Sequence, residues 1–279
     1  MKKRLGIFMA VILVIIATIP ICAAQENGGL LRIYFIDVGQ ADATIIICDD
    51  MILMIDGGNV GDSSLIYSML RNVLGIKHID YMIATHPHED HVGGLSGALN
   101  ACSVDVLYTP VLEYETRAFN SMIHYAHEHD TTILVPELGD TFYIGPTLVE
   151  ILPPVQEYRD YNDMSIVVRI TYGETTFLFT GDIGWDAERD LVEAGIDLSA
   201  DVLKVGHHGS NTSSSYMFLR EVMPSYAVIS VGAGNIYDHP DEETLSRLQD
   251  VGAEIYRTDV MGTIECVSDG KEVTFFFEK

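Results

Sequence analysis

Directly after the apolar run 81–84 the chain reads THPHEDHVGG, placing His86, His88 and His91 together with Glu89 and Asp90 in residues 85–94. Neutral imidazoles and carboxylates at this density are the donor set of a divalent cation, or of two held close together, because nitrogen and oxygen atoms must converge from a short loop on one point. No other feature restricts the fold so strongly: the loop must stand at a strand end, where other strands can deliver donors to the same place. The competing explanation is a polar helix cap whose histidines satisfy local hydrogen bonds. Donors elsewhere in the chain decide between the two.

Three further groups occur, each just beyond a strand-like apolar run: Asp182 at the end of FLFTGD, His207 and His208 after LKVG, and Asp238 with His239 in YDHP. Local satisfaction accounts for any one of them, but four groups in the same position relative to a strand point to a fold that gathers strand ends. His124, His127 and His129 have no compact carboxylate pattern around them and are expected on a helix surface or in helix packing.

Apolar runs bounded by turn residues predict strands at 31–38, 43–48, 51–55, 81–84, 104–107, 132–135, 147–152, 166–172, 175–179, 202–205, 226–231, 254–257, 264–268 and 273–277. Helical spacing marks 63–74, 93–99, 117–130, 188–194, 213–220 and 242–249. The two halves echo one another without an exact repeat or a long linker. The expected architecture is α/β, two sheets sharing one core with helices outside. The acidic stretch 186–190 is expected as a solvated helix face.

Residues 1–24 stand apart. Lys2, Lys3 and Arg4 precede an almost wholly apolar run that ends in Cys22, Ala23 and Ala24, the layout of a secretory signal. Residues 25–279 are then expected to form a single domain. The alternatives are a lipid on Cys22, although Ile21 is not the small residue usual before a lipidated cysteine, and a retained anchor. Each places the domain outside the cytoplasm, secreted or membrane-anchored, with membrane contact confined to this segment. Cys48, Cys102 and Cys266 are widely spaced without a CxxC pair, so ordinary burial is expected. The net charge of −25 repels a polyanion at long range, and no basic patch with interleaved aromatics offsets it. Binding of DNA or RNA would depend on metals and a local groove.

LRIYFIDVGQADATII, MIDGG, THPHEDHVGG, SIVVRITYGETTFLFTGD, LKVGHHGSNTSSS and YDHP followed by YRTDVMGTI resemble the metallo-beta-lactamase fold superfamily, specifically the hydrolase domain of the ComEC family of competence proteins. The resemblance spans almost all of the chain after residue 24, without the long transmembrane channel region of the full competence protein. It implies a four-layer αββα sandwich of the metallo-beta-lactamase type with two metals in a cleft on top. By the same resemblance His86 and His88 belong to the first metal site, Asp90 and His91 to the second, and Asp182 bridges them. One histidine of the 207–208 pair completes the second site. His207 is favoured because it arrives first from the strand, leaving His208 for a supporting or substrate contact. Where the superfamily has a third first-site histidine, this chain carries Asn162, Asp163, Met164 and Ser165, so Asn162 and Ser165 are expected to face a weaker first site. Zinc or manganese suits the donors, with magnesium admissible in an oxygen-rich shell.

Two such ions lower the pKa of a shared water and stabilise charge on a phosphoryl or acyl oxygen. In that chemistry Asp182 bridges the ions, Asp90 orients the nucleophile besides binding metal, and His239 protonates a leaving group or binds phosphate. Asp56 in MIDGG either accepts the outer N–H of a ligating imidazole or stabilises a turn. Asp37 and Gln40 are expected to support the floor of the metal loop, where Ala41 replaces a glycine common in relatives. Backbone N–H groups of 206–215 with Ser210 and Asn211 would hold phosphate oxygens, and residues 210–212 would cap a helix starting near Ser213. The expected function is an extracellular metal-dependent hydrolase of phosphodiesters, with DNA the substrate the resemblance suggests. The alternatives are a phosphoesterase for a nucleotide or a phosphorylated cell-envelope molecule, and a non-catalytic metal-binding envelope protein. Lactam hydrolysis fits poorly with the missing first-site histidine and the HHGS signature.

Overall fold

The computed structural model describes residues 29–279; the expected signal segment 1–24 lies outside them. Its strands are β1 (Leu31–Phe35), β2 (Ala43–Cys48), β3 (Met51–Gly57), β4 (His78–Ile83), β5 (Ser103–Tyr108), β6 (Thr132–Leu134), β7 (Thr141–Ile144), β8 (Thr147–Leu152), β9 (Val167–Tyr172), β10 (Thr175–Phe179), β11 (Val202–Lys204), β12 (Tyr226–Ile229), β13 (Glu254–Arg257), β14 (Ile264–Ser268) and β15 (Val273–Phe277). They form an eight-stranded sheet in the order β15-β14-β1-β2-β3-β4-β5-β6 and a seven-stranded sheet in the order β13-β12-β11-β10-β9-β8-β7.

Alternation explains how the sheets stack. In β1, Leu31, Ile33 and Phe35 point into the layer between the sheets, while Arg32 and Tyr34 face the other way, Arg32 Nη1 donating to Glu265 Oε1 at 2.6 Å. The register Leu31↔Ser268 and Leu31↔Cys48 is fixed by that burial, since a slip of one residue would turn the apolar set outward. Phe35 stacks on Phe179 across the layer with ring centroids 5.9 Å apart. Burying each ring contributes about 2–3 kcal/mol, and Phe179 is the anchor from which the chain runs to Asp182. Helices Ser63–Ser68, Leu95–Ala101 and Arg117–Glu128 cover the outer face of the first sheet; Trp185–Glu193, Tyr216–Val222 and Glu242–Asp250 cover the second. This is the four-layer αββα sandwich expected from the sequence.

Gly94 explains why helix Leu95–Ala101 sits so close to β3. A Cβ at that position would lie 1.9 Å from the Gly57 carbonyl oxygen, so the end of THPHEDHVGG doubles as a helix–sheet contact.

Several details differ from the expectations. Strand β7 was not foreseen: four residues flanked by Asp140 and Gly145 give too short an alternation to stand out, and pairing with β8 stabilises it. The predicted helix 63–74 is α-helical through Ser68 and then widens to a π-turn at Met69–Val73. The helix expected from Ser213 starts at Tyr216, capped by Ser215, whose Oγ accepts from the Phe218 amide at 3.3 Å. Glu188, in the stretch expected to be solvated, is buried. Cys48, Cys102 and Cys266 are free and buried, and His124, His127 and His129 are exposed. No helix among the described residues is long and apolar enough to cross a membrane.

Candidate metal centre

Strands β3 and β4 run parallel, as do β10, β11 and β12, and their C-terminal ends deliver residues to one place. From the first sheet come Asp56 at the end of β3, then Thr85 and His86 after β4, with Asp90 and His91 on the single turn Glu89–Val92. From the second come Asp182 after β10, His207 and His208 after β11, and Ser230 after β12.

A single oxygen lies at the middle. Asp182 Oδ2 is 3.3 Å from His91 Nε2, 3.6 Å from His208 Nε2, and 3.9 Å from Nε2 of both His86 and His207. Asp90 Oδ2 is 3.2 Å from His208 Nε2 and 3.9 Å from His91 Nε2. Donor atoms of Asp90, His91, Asp182 and His208 all lie within 4.8 Å of one another.

All four imidazoles turn their other nitrogen to oxygen, His207 Nδ1 lying 3.3 Å from Thr212 Oγ1. His91 Nδ1 is 2.8 Å from Asp56 Oδ2. His86 Nδ1 is 3.2 Å from Thr85 Oγ1 and 3.3 Å from Ser165 Oγ. These hydroxyls donate their own hydrogens to Asp56 and to the Asn162 carbonyl, each at 2.7 Å, and so accept from the ring. His208 Nδ1 is 3.1 Å from the Ser230 carbonyl oxygen and 3.2 Å from Asp42 Oδ1; the carbonyl takes the hydrogen bond and Asp42 acts through its charge. The rings are thereby set with Nδ1–H outward and Nε2 inward, the arrangement in which an imidazole binds metal. His86 Nε2, His91 Nε2 and Asp182 Oδ1 are buried without a hydrogen-bond partner. An orphaned buried polar atom costs about 1–3 kcal/mol. Two of the three are imidazole nitrogens converging on Asp182, whose own Oδ1 is the third, a set that fits a divalent cation, and mixed nitrogen and oxygen donors suit zinc or manganese.

The electrostatics agree. Burial draws His208 down, but Asp182 and Asp42 outweigh it and raise its pKa to about 10. For His91 burial is likewise overcome, by Asp182 and Asp56, and the group stands well above its ordinary value. Burial pushes Asp182 and Asp90 upward; the histidines, His91 foremost, reverse this, holding Asp182 well below the carboxylate range and Asp90 at about 2. His86 moves the other way, lowered by burial and by neighbouring His91. The carboxylates are therefore ionised at neutral pH, and the protons on His91 and His208 are those a cation would displace.

The side of His86 and His88 is looser. His88 is half-buried with its ring edge-on to His86, centroids 4.8 Å apart, and His207 Nε2 lies 3.4 Å from Asn162 Nδ2. Among the described residues, no cluster as compact as that of Asp90, His91, Asp182 and His208 includes His86, His88 or His207. Chain order favoured His207 for the compact set, and the geometry puts His208 there instead. Both residues have left-handed backbone, φ 50° and 53°, so the chain reverses as it leaves β11. That turn tucks the second ring inward, its side chain 3% exposed against 29% for His207.

Asp37 does not lie under the histidine loop. Its Oδ1 accepts from the Gly39 amide at 3.3 Å and its Oδ2 is 3.0 Å from Lys279 Nζ, so it closes its own turn and meets the C-terminus. The acid of DVGQAD beneath the centre is Asp42, paired with Lys204 at 2.6 Å. Neither stands out in the sequence, where the available signal is a charged residue inside each of two apolar runs, ADATIII and VLKV. Gln40 Oε1 accepts from the Gly232 amide at 3.1 Å.

Loop 206–215 is not a free anion cradle, because most of its amides are already used. The Asn211 amide donates to Asp241 at 2.9 Å, that of Thr212 to Ser210 Oγ at 3.3 Å, and those of Ser214 and Ser215 to Glu188. These amides explain why Glu188 is buried. Ser210 is buried too, whereas Asn211 stands exposed on the wall of a cleft of about 500 Å³ that also includes Asp182, His207 and Trp185. His239 lies next to His207, ring centroids 5.9 Å apart, with its Nδ1 3.2 Å from Asp241 Oδ2. Burial and His207 lower its pKa.

A family model described as the metallo-beta-lactamase superfamily matches residues 36–233. The chain is 30% identical to ComE operon protein 3 of Bacillus subtilis over 262 residues, covering 88% of this chain and 33% of that protein. It is 30% identical to competence protein ComA of Neisseria gonorrhoeae over 244 residues, covering 87% and 33%. It thus spans about a third of the length of these two relatives. The solved structure of the metallo-beta-lactamase fold protein YhfI from Bacillus subtilis matches with a TM-score of 0.55 at 13% identity, covering 89% of this chain and 100% of that one, a likeness of fold.

Proposed function

The chain belongs to the metallo-beta-lactamase superfamily, and from that premise we propose that it is a metal-dependent hydrolase of phosphodiesters working outside the cytoplasm. The observation that carries this reading is Asp182 Oδ2, a buried carboxylate oxygen within 3.9 Å of four imidazole Nε2 atoms. Asp90, His91, Asp182 and His208 would hold one cation, zinc or manganese; His86, His88 and His207 would hold a second more weakly, sharing Asp182. Bound cations supply Lewis acidity and a water acidic enough to attack at neutral pH.

The chain's own groups do the rest. Asp90, ionised and aimed at the centre, would orient the attacking water without serving as its base, since a carboxylate held at about 2 binds a proton too weakly at neutral pH. Asp56 and Ser165 keep His91 and His86 from turning. His239, its pKa lowered by burial and His207, is neutral at neutral pH and would hydrogen-bond the phosphoryl group rather than protonate the leaving oxygen.

The competence names of the relatives favour DNA as the substrate. One observation favours a small phosphoester, of a nucleotide or a cell-envelope molecule: Asp160, Asp163, Asp186 and Glu243 line the cleft beside Asp182 and His207, and a long polyanion is repelled there.

Metal stoichiometry of the purified chain, with turnover of bis(p-nitrophenyl) phosphate, a cyclic nucleotide, and single- and double-stranded DNA under zinc, manganese and magnesium, tests the proposal. Metal-dependent phosphodiester turnover is expected. A chain that recruits no divalent ion and turns over none of these is not this hydrolase, and one that binds metal without turnover is the non-catalytic metal-binding protein.

A further inference from the structure

The Asp42–Lys204 pair takes no part in the reaction above. Lys204 ends β11 on the face toward the other sheet: Val202, two residues earlier, packs in the layer between the sheets, and strand alternation returns residue 204 to that face. Its ammonium donates to Asp42 Oδ2 at 2.6 Å and to the Val205 carbonyl at 3.0 Å, with side chains 3% and 6% exposed. Asp42 belongs to the first sheet, immediately before β2, so the pair joins the two sheets beside His208.

Joining sheets does not require charge. Two ions removed from water are costly, and apolar residues of similar volume often serve stability as well or better. What an apolar pair cannot provide is a negative charge at a fixed point behind an imidazole. Lys204 occupies Asp42 Oδ2 and leaves Oδ1 3.2 Å from His208 Nδ1, next to the Ser230 carbonyl at 3.1 Å. With Nδ1–H held by the Ser230 carbonyl and the carboxylate charge beside it, the ring cannot offer Nδ1 to the centre, and that charge makes Nε2 a stronger donor. Nε2 is the atom that faces Asp90 and Asp182.

We infer that Lys204 and Asp42 are a positioning pair for His208: the lysine fixes the carboxylate, the carboxylate orients and strengthens the imidazole, and the affinity of the compact site for a cation depends on a lysine that touches neither cation nor substrate. This rests on reading that site as a metal centre.

The test uses the full chain in three forms: wild type, Asp42→Asn/Lys204→Met, which removes both charges at near-constant volume, and Asp42→Ala/Lys204→Met, which also removes the acceptor. Zinc affinity is measured by competition with a chromophoric chelator, the visible spectrum after cobalt(II) loading reports ligand geometry, and melting in excess chelator reports the fold alone. Both double variants are expected to melt near wild type in chelator yet bind zinc roughly 10- to 100-fold more weakly, the Ala/Met form more so, with a changed cobalt spectrum. A folded double variant with wild-type affinity and spectrum overturns the inference. If one variant does not fold, the other is judged by the same criterion; if neither folds, the pair is a structural bridge and the inference is again overturned. A wild-type chain that binds no cation defeats the metal-centre reading instead.

Discussion

Asp182 is the side chain at which the proposed chemistry is easiest to interrupt. Its carboxylate faces four imidazoles and accepts a hydrogen bond from none of them, and His86 and His91 Nε2 stay unpaired beside it. Asp182→Ala is expected to leave the fold assembled, weaken metal binding, and lower turnover about a thousandfold, equivalent to about 4 kcal/mol of lost charge stabilisation; full retention of activity would remove its proposed bridging role. The pKa values add a pH prediction for chelator-treated protein. His91 and His208 are raised above the ordinary 6.5, His208 to about 10, so they bind more protons folded than unfolded. Their stabilisation is complete below about pH 6.5 and is lost as the pH climbs toward 10. Asp90 and Asp182 are depressed below 3.8, so their contribution is present above that value and lost in stronger acid. The melting temperature without metal should therefore fall from pH 6.5 to 10, and fall less with zinc bound; a flat profile would contradict the assigned protonation. At this scale the sequence was informative wherever a donor stood just past an apolar run, as for His86, Asp90, His91 and Asp182. It ranked His207 above His208, and the geometry reverses the order because a left-handed backbone turn brings the second ring inward. It did not reveal Asp42 and Lys204, because their meaning comes from a contact across 162 positions.

Glu188 shows why helix ends were harder to read than strands. GSNTSSS offers several equivalent caps, and the choice is made by a carboxylate from helix Trp185–Glu193 that accepts from the Ser214 and Ser215 amides. Glu188→Ala would leave those buried donors unsatisfied and is expected to cost about 2–3 kcal/mol in denaturant unfolding, with Glu188→Gln costing less because one acceptor remains. Because the same loop carries His207 and His208, zinc affinity should fall alongside stability. Gly94→Ala should be harmful through backbone contact: with the Gly57 oxygen at 1.9 Å from the added Cβ, the helix must lift from β3, costing about 1–3 kcal/mol in the same unfolding measurement. Most strands were legible as apolar runs between turn residues, whether burial alternates along them, as in β1 and β14, or is continuous, as in β11. Strand β7 was not, since its four residues are defined by pairing with β8.

For the molecule as a whole, the charge of −25 sets how it meets substrates. Salt shortens the reach of repulsion from about 30 Å at 0.01 M to about 8 Å at 0.15 M. DNA hydrolysis by this chain should then hold steady or rise over that range, whereas a protein with a basic groove loses affinity steeply. A steep fall in DNA turnover with salt would contradict the acidic-cleft argument. The two-sheet plan was expected from the strand and helix pattern, and its four layers from the family resemblance. Its consequence for assembly lies in where the donors come from. Asp90 and His208 are 118 positions apart and are delivered by different sheets, so neither half alone contains the complete centre. Long-range contacts of this kind form late because chain closure must come first. During refolding, cation capture should wait until the sheets dock, which makes the arrival of cobalt colour a clock for the last step of assembly.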